Sequence, residues 1–272
     1  MPRKNHAKTK PDTDCRKRPE RIRCVRIRFR VRDECAVRAK QTEFRVFARR
    51  DLRGPDNTSD STVRHCAEKV DSNRKLLLAV ECKSLRSNFP LLVSTVPRTA
   101  DEAFHEIIRL REGSVRLFRE VERVAPNRSI YRLDEMVGKQ TDQVGRTIQG
   151  SELFSDDSST FDKISQAINS SRDVFVSPAC ESGAARFRIV VPVLVVPSDV
   201  LCQVEYNHDG DITKQPHRVD EATLYINHLW TASVEGDDLR YQISHLHIIT
   251  VGRVERALKK WMGPAGFFST VG

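Results

Sequence analysis

The segment DSNRKLLLAVECK, Asp71–Lys83, opens on a turn and closes on two charges. Asp71-Ser72-Asn73-Arg74 is turn chemistry, and the short continuous apolar run behind it predicts a buried strand over Lys75–Lys83. A second strand is predicted just upstream, over Val63–Val70, and pairing across the turn places Arg64 opposite Glu81. Strand alternation puts Glu81 and Lys83 on one side and Cys82 on the other. Two ionisable groups at the end of an otherwise apolar strand are costly to bury without a partner or a purpose. Phosphodiester hydrolysis is one such purpose. Glu81 would hold a hard divalent cation, Mg²⁺ or Mn²⁺, and Lys83 would orient the attacking water and offset charge in the transition state. The plainer expectation is an ion pair at a strand end.

LLLAVECKSL, Leu76–Leu85, resembles the E-x-K strand of the PD-(D/E)XK, or restriction-endonuclease-like, nucleases, and within them the Mrr and archaeal-resolvase type. The resemblance covers roughly residues 21–125. It implies an α/β fold: a mixed central sheet flanked by helices, with additional strands in the C-terminal half. It also implies a metal-dependent DNA endonuclease, in restriction or defence, whose catalytic residues include Glu81, Lys83 and an acidic residue from a preceding strand. Glu43–Ala48 has the shape of that strand, but Arg45 stands where the family has aspartate, so the motif is incomplete. Asp60, four residues before Arg64 and on its face, ranks first as the missing group and as the second metal ligand beside Glu81. Asp51 ranks second and Asp71, in the turn, third. Without such a residue the chain would be a catalytically inactive, nucleic-acid-binding relative.

Charge supports a polyanionic partner. Residues 1–32 hold thirteen Lys/Arg against three Asp/Glu, whereas the remaining residues nearly balance. Such an arm suits nucleic acid, or an acidic protein surface in the alternative that this is an interaction protein. Val25–Arg32 alternates strictly, with Arg26, Arg28, Arg30 and Arg32 on one face, so a strand is predicted there whose arginines contact phosphates or keep an edge from pairing. DNA is the expected partner, and a homodimer is compatible with the resemblance. No apolar stretch reaches the roughly 20 residues of a membrane helix. The basic, polar start has no leader-like apolar core, and the seven cysteines form no C-x-x-C pair, so a reducing cytoplasm is expected.

Further out the expectations are coarser. They comprise a basic tail over 1–20, a nuclease-like core over 21–130, and over 131–272 a continuation or second lobe. Gln41–Ala48 reads as a strand and 51–62 as a polar connection. Thr99 and Glu102 form a capping box that would start a helix carrying Phe104, Ile107, Ile108, Val115, Phe118 and Val121, split near Gly113. Gly138–Gln143 reads as a loop entering a short helix, with Lys139 or Gln143 as candidate DNA contacts. A helix follows over 158–170, then strands at Val174–Val176, Arg186–Val196, Val200–Tyr206, Ala222–Leu229 and Tyr241–Thr250, and a helix over Gly252–Met262. Pro192 suggests that its strand lies at an edge. His245 and His247 share a strand face without an evident third ligand, which favours satisfied or surface histidines over a metal site.

Overall fold

The computed structural model describes residues 24–25, 45–49, 64–71, 73–83, 85, 89–112, 117–124, 130–146, 153–155, 157–176, 186–234, 237–263 and 265–269. The chain is α/β, with a strand-rich mixed sheet and few helices. The first four strands, β1 (Cys24–Val25), β2 (Arg45–Arg49), β3 (Arg64–Asp71) and β4 (Arg74–Cys82), form an antiparallel meander. Then come β5 (Leu91–Pro97), β6 (His105–Glu112), β7 (Leu117–Val124), β8 (Met136–Arg146), β9 (Leu153–Ser155) and helix α1 (Asp157–Val176). The last part holds β10 (Phe187–Val196), β11 (Leu201–Tyr206), β12 (Ile212–Arg218), β13 (Glu221–Val234), β14 (Asp237–Thr250) and α2 (Val254–Met262).

Among the described residues the sheet has 14 strands, and its main path runs β1-β2-β3-β4-β10-β14-β13-β8-β5-β11-β12. β10 is parallel to both β4 and β14, so strands from either side of residue 130 meet at its centre. The β6–β7 hairpin branches from the start of β10, and β9 pairs with β8. Both sheet faces are covered, which explains the unbroken apolar runs in β4 and β10. Leu76, Leu78, Ile189, Val191 and Val193 pack with Ala257 and Trp261 of α2 and with Phe267. On the other face Leu77 and Val190 meet Phe175 of α1, while Leu194, Val196, Leu246 and Ile248 meet Ala167.

The hairpin that the turn at 71–74 predicts is present, with Arg64 opposite Glu81 in register. Elsewhere the structure corrects the sequence reading. The capping box at Thr99 and Glu102 forms, but it caps only the single 3-10 turn Ala100–Glu102. The helix expected beyond it is instead the β6–β7 hairpin. Val174–Val176 is the last turn of α1, where Phe175 stacks on Tyr241 with centroids 5.1 Å apart. Gly138–Gln143 lies inside β8, between β5 and β13, and is neither loop nor helix. At Asn207–Gly210 the chain makes a tight turn: the Asn207 carboxamide oxygen accepts from the Asp209 and Asp211 N–H groups, and Gly210 supplies a φ of 90°.

Pro192 is at the centre of the sheet, not its edge, and the register explains how. The Lys83 N–H donates to the Val195 carbonyl and the Phe187 N–H to the Asn73 carbonyl, so odd-numbered residues of β10 turn their backbone polar groups toward β4. Pro192 therefore aims its nitrogen toward β14. Pairing with β14 begins only at Val193↔His247, so the missing N–H falls just outside that ladder. Before Pro192 the two strands part, and the Tyr241 hydroxyl donates to the Val190 carbonyl across the opening at 3.1 Å.

Candidate functional site

Glu81 and Lys83 leave the end of β4 on the α1 face, as alternation predicts. Glu81 is fully buried, and Lys83 keeps about a sixth of its side chain exposed, the two being 0% and 15% accessible. Lys83 Nζ lies 3.1 Å from Glu81 Oε1, close enough for an ion pair, but the angle makes no hydrogen bond and Oε1 has none among the described residues. The other oxygen, Oε2, is 3.3 Å from the Ser170 hydroxyl. That hydroxyl is only 2.8 Å from the Gln166 carbonyl, and its single proton serves the nearer acceptor best. Among the described residues Glu81 is thus a buried carboxylate with spare lone pairs beside the Lys83 ammonium.

Helix α1 builds the rest of this site. Its acidic first residue, Asp157, suits a helix N-terminus, and Ile164, Ala167, Ile168 and Phe175 set its apolar face against the sheet. Gln166 and Ser170, one turn apart on the same helix, come down on the end of β4. The Gln166 side-chain oxygen accepts from Lys83 Nζ and fixes the ammonium beside Glu81. Neither residue was singled out from sequence. The one available signal is a pair of polar side chains at i, i+4 bordering an apolar helical stripe.

The other expected site residues are placed as follows. Asp60, Asp51 and the four arginines Arg26, Arg28, Arg30 and Arg32 lie outside the described residues. Asp71 pairs with Arg74 at the far end of β3, seven residues from Arg64, or about 23 Å along an extended strand. Arg45 pairs in register with Glu68. Lys139 is on β8, four strands along from β4 or about 19 Å at normal strand spacing, where it pairs with Glu102 and lies over the Tyr225 ring. Gln143, on the same strand, donates to the Phe89 carbonyl at 2.9 Å. The Cys82 side chain points away from Glu81. Desolvation and then the Glu81 charge push its thiol up, so it is no thiolate nucleophile at neutral pH.

On the opposite face the histidines form an aromatic cluster. Tyr131 stacks on His245, centroids 3.9 Å apart, and its hydroxyl lies 3.0 Å from His247 Nε2. His247 also meets Trp261 edge-on, and His105 meets Phe267. Burial pushes His105 and His247 down to about 3, and His245 well below its ordinary value. They are neutral core side chains, and among the described residues no group of three His, Cys, Asp or Glu side chains could hold a metal ion. No helix among the described residues is long and apolar enough to cross a membrane. No protein-family model, curated protein or solved structure matches the chain.

Proposed function

We propose that the chain is a metal-dependent DNA endonuclease of the restriction-endonuclease-like type, with its centre at Glu81 and Lys83. The observation that carries this reading is the pairing of a fully buried carboxylate, one oxygen of which takes no hydrogen bond among the described residues, with an ammonium that Gln166 holds in place. The element order supports it: an antiparallel meander ending in the E-x-K strand, a helix on that strand, and a further strand parallel to it. The departure from the family's usual order is the inserted block β5–β9 between the E-x-K strand and the helix.

The donor set fits a hard cation in part. Glu81 offers one carboxylate with unused lone pairs, and Asp60 is the residue proposed to complete the pair. When bound, Mg²⁺ or Mn²⁺ would polarise the scissile phosphate and acidify a water. Glu81 would hold the cation, and its burial in a low-dielectric pocket strengthens every charge interaction there. Lys83, 3.1 Å from Glu81, would position the attacking water and offset the charge that builds up in the transition state. Gln166 accepts one Lys83 N–H and leaves the others for water or phosphate. The arginines of the N-terminal segment would bind the DNA backbone.

A second reading has its own observation. Arg64 stands in register with Glu81 on the neighbouring strand, where a second acid would favour metal binding. In this reading the protein binds nucleic acid without cutting it.

Supercoiled plasmid, incubated with Mg²⁺ or Mn²⁺ against EDTA, separates the two. The endonuclease reading expects metal-dependent nicking that falls about 10²-fold or more in Glu81→Ala and Lys83→Ala, with the gel shift kept in both. Circular dichroism of each variant is needed, because removing Lys83 leaves a buried carboxylate without its cation. A wild-type gel shift without nicking favours the binding module, and absence of both overturns the nucleic-acid assignment.

A further inference from the structure

The opening between β10 and β14 ahead of Pro192 holds a small, partly open cavity whose lining includes Glu106, Pro192, Tyr241 and His245. It is independent of the Glu81 site. Its chemistry follows from three hydrogen bonds. The Ser244 hydroxyl donates to the Phe104 carbonyl at 2.9 Å, which commits its only proton. His245 Nδ1 lies 2.9 Å from that same oxygen, which can therefore only accept from it. Nδ1 thus carries the imidazole proton, and Nε2 presents a bare lone pair. That Nε2 is buried and has no hydrogen-bond partner among the described residues, in a side chain only 2% exposed.

A second acceptor lines the same cavity. Glu106 Oε2 accepts from the Gln242 N–H at 2.8 Å, and Arg123 is 4.0 Å from Oε1. The carboxylate therefore keeps lone pairs to spare. The break in the strand pairing adds to the demand for donors. Continued one step back from Val193↔His247, the parallel register would call on the nitrogen of residue 192, and proline has no proton to give.

An acceptor-rich cavity of this size selects a small molecule with two donors. We propose that the β10/β14 opening binds a single structural water, which donates one hydrogen to His245 Nε2 and the other to the Glu106 carboxylate. A buried water is retained where it meets two or more polar groups with hydrogen-bonding capacity to spare, as His245 Nε2 and the Glu106 carboxylate have. It bridges β6 to β14 where β10 and β14 part. A cation would meet Arg98 and Lys139, whose charges already act on His245. An anion would face two acceptors.

Two measurements on the intact chain test this. Nitrogen-15 NMR of the wild type should show His245 protonated at Nδ1 with an unprotonated Nε2, and an Nε2–H tautomer would overturn the proposal. Water–protein cross-relaxation should show a long-lived water contacting the Gln242 amide and the His245 ring. That signal should be lost in His245→Phe while signals from other ordered waters remain. A dry cavity in the wild type, or a water signal unchanged in a folded His245→Phe variant, would overturn it. The wild-type measurements decide the matter even if the variant does not fold.

Discussion

At the scale of single residues, burial determines the behaviour of the three histidines. His105, His245 and His247 are all held below the ordinary imidazole value, burial being the first cause in each case. Positive neighbours add to it: Arg98 and Lys139 act on His245, and Lys260 and Arg98 on His247. Their unfolded forms take up protons near pH 6.5, whereas the folded forms of His105 and His247 resist until about pH 3. Below pH 6.5 the unfolded chain therefore binds more protons than the native one, and stability falls as pH falls across that window. Urea denaturation at a series of pH values should show the three histidines contributing a slope that approaches three protons between pH 6 and 4, offset in part by Glu106, whose carboxyl desolvation pushes up. His247→Phe should reduce the slope by about one proton, since a phenyl ring does not titrate. Glu81 and Lys83 were legible at this scale because β-strand alternation alone puts them on one side. Gln166 and Ser170 were not, since their approach to β4 depends on where a helix some 80 residues later comes to rest, as the separation of Lys83 from Gln166 shows.

At the scale of elements, local pattern and tertiary pairing sometimes favoured different structures. Phe104, Ile107, Ile108, Val115, Phe118 and Val121 fit helical spacing, yet the same stretch is rich in β-branched residues, which suit strands. Cross-strand charges add to the hairpin, with Arg109 pairing with Glu122 and Arg123 lying near Glu106. The deciding partner is β10, which no local window contains. The E-x-K strand was legible because its pairing partner, β3, lies just across a turn. Gly138 shows the converse. In a polar stretch it read as loop punctuation, but the lack of a side chain is what lets β8 lie against its neighbours. A Cβ there would stand 2.6 Å from Val93 Cγ1 and 3.1 Å from Leu224 Cδ1. Gly138→Ala should destabilise the protein by about 1–3 kcal/mol through overpacking, measurable as a lower urea midpoint with an unchanged slope. An unchanged midpoint would mean that β8 has room to shift.

At the scale of the whole molecule, strand order and chain order diverge. β4 must find β10, and β8 must lie between β5 and β13, before the sheet is complete. Contacts so distant along the chain close slowly, because loop entropy is lost before the pairing energy is gained. Refolding followed by Trp261, buried between His247 and Phe267, should take milliseconds to seconds or longer, with β3–β4 hairpin formation well ahead of the final fluorescence change. A single microsecond phase would be inconsistent with this sheet order.

The last strand of the sheet has a consequence beyond folding. β12 ends the sheet order, and six of its seven side chains are exposed. A row of open backbone groups there could recruit strands from other copies and seed fibrils. Pro216 interrupts that row of donors, and Lys214 and Arg218 would meet their own counterparts in any stacked copy. The β12 sequence therefore guards the sheet against unlimited growth, and replacing Pro216 and Lys214 by β-formers would remove that protection.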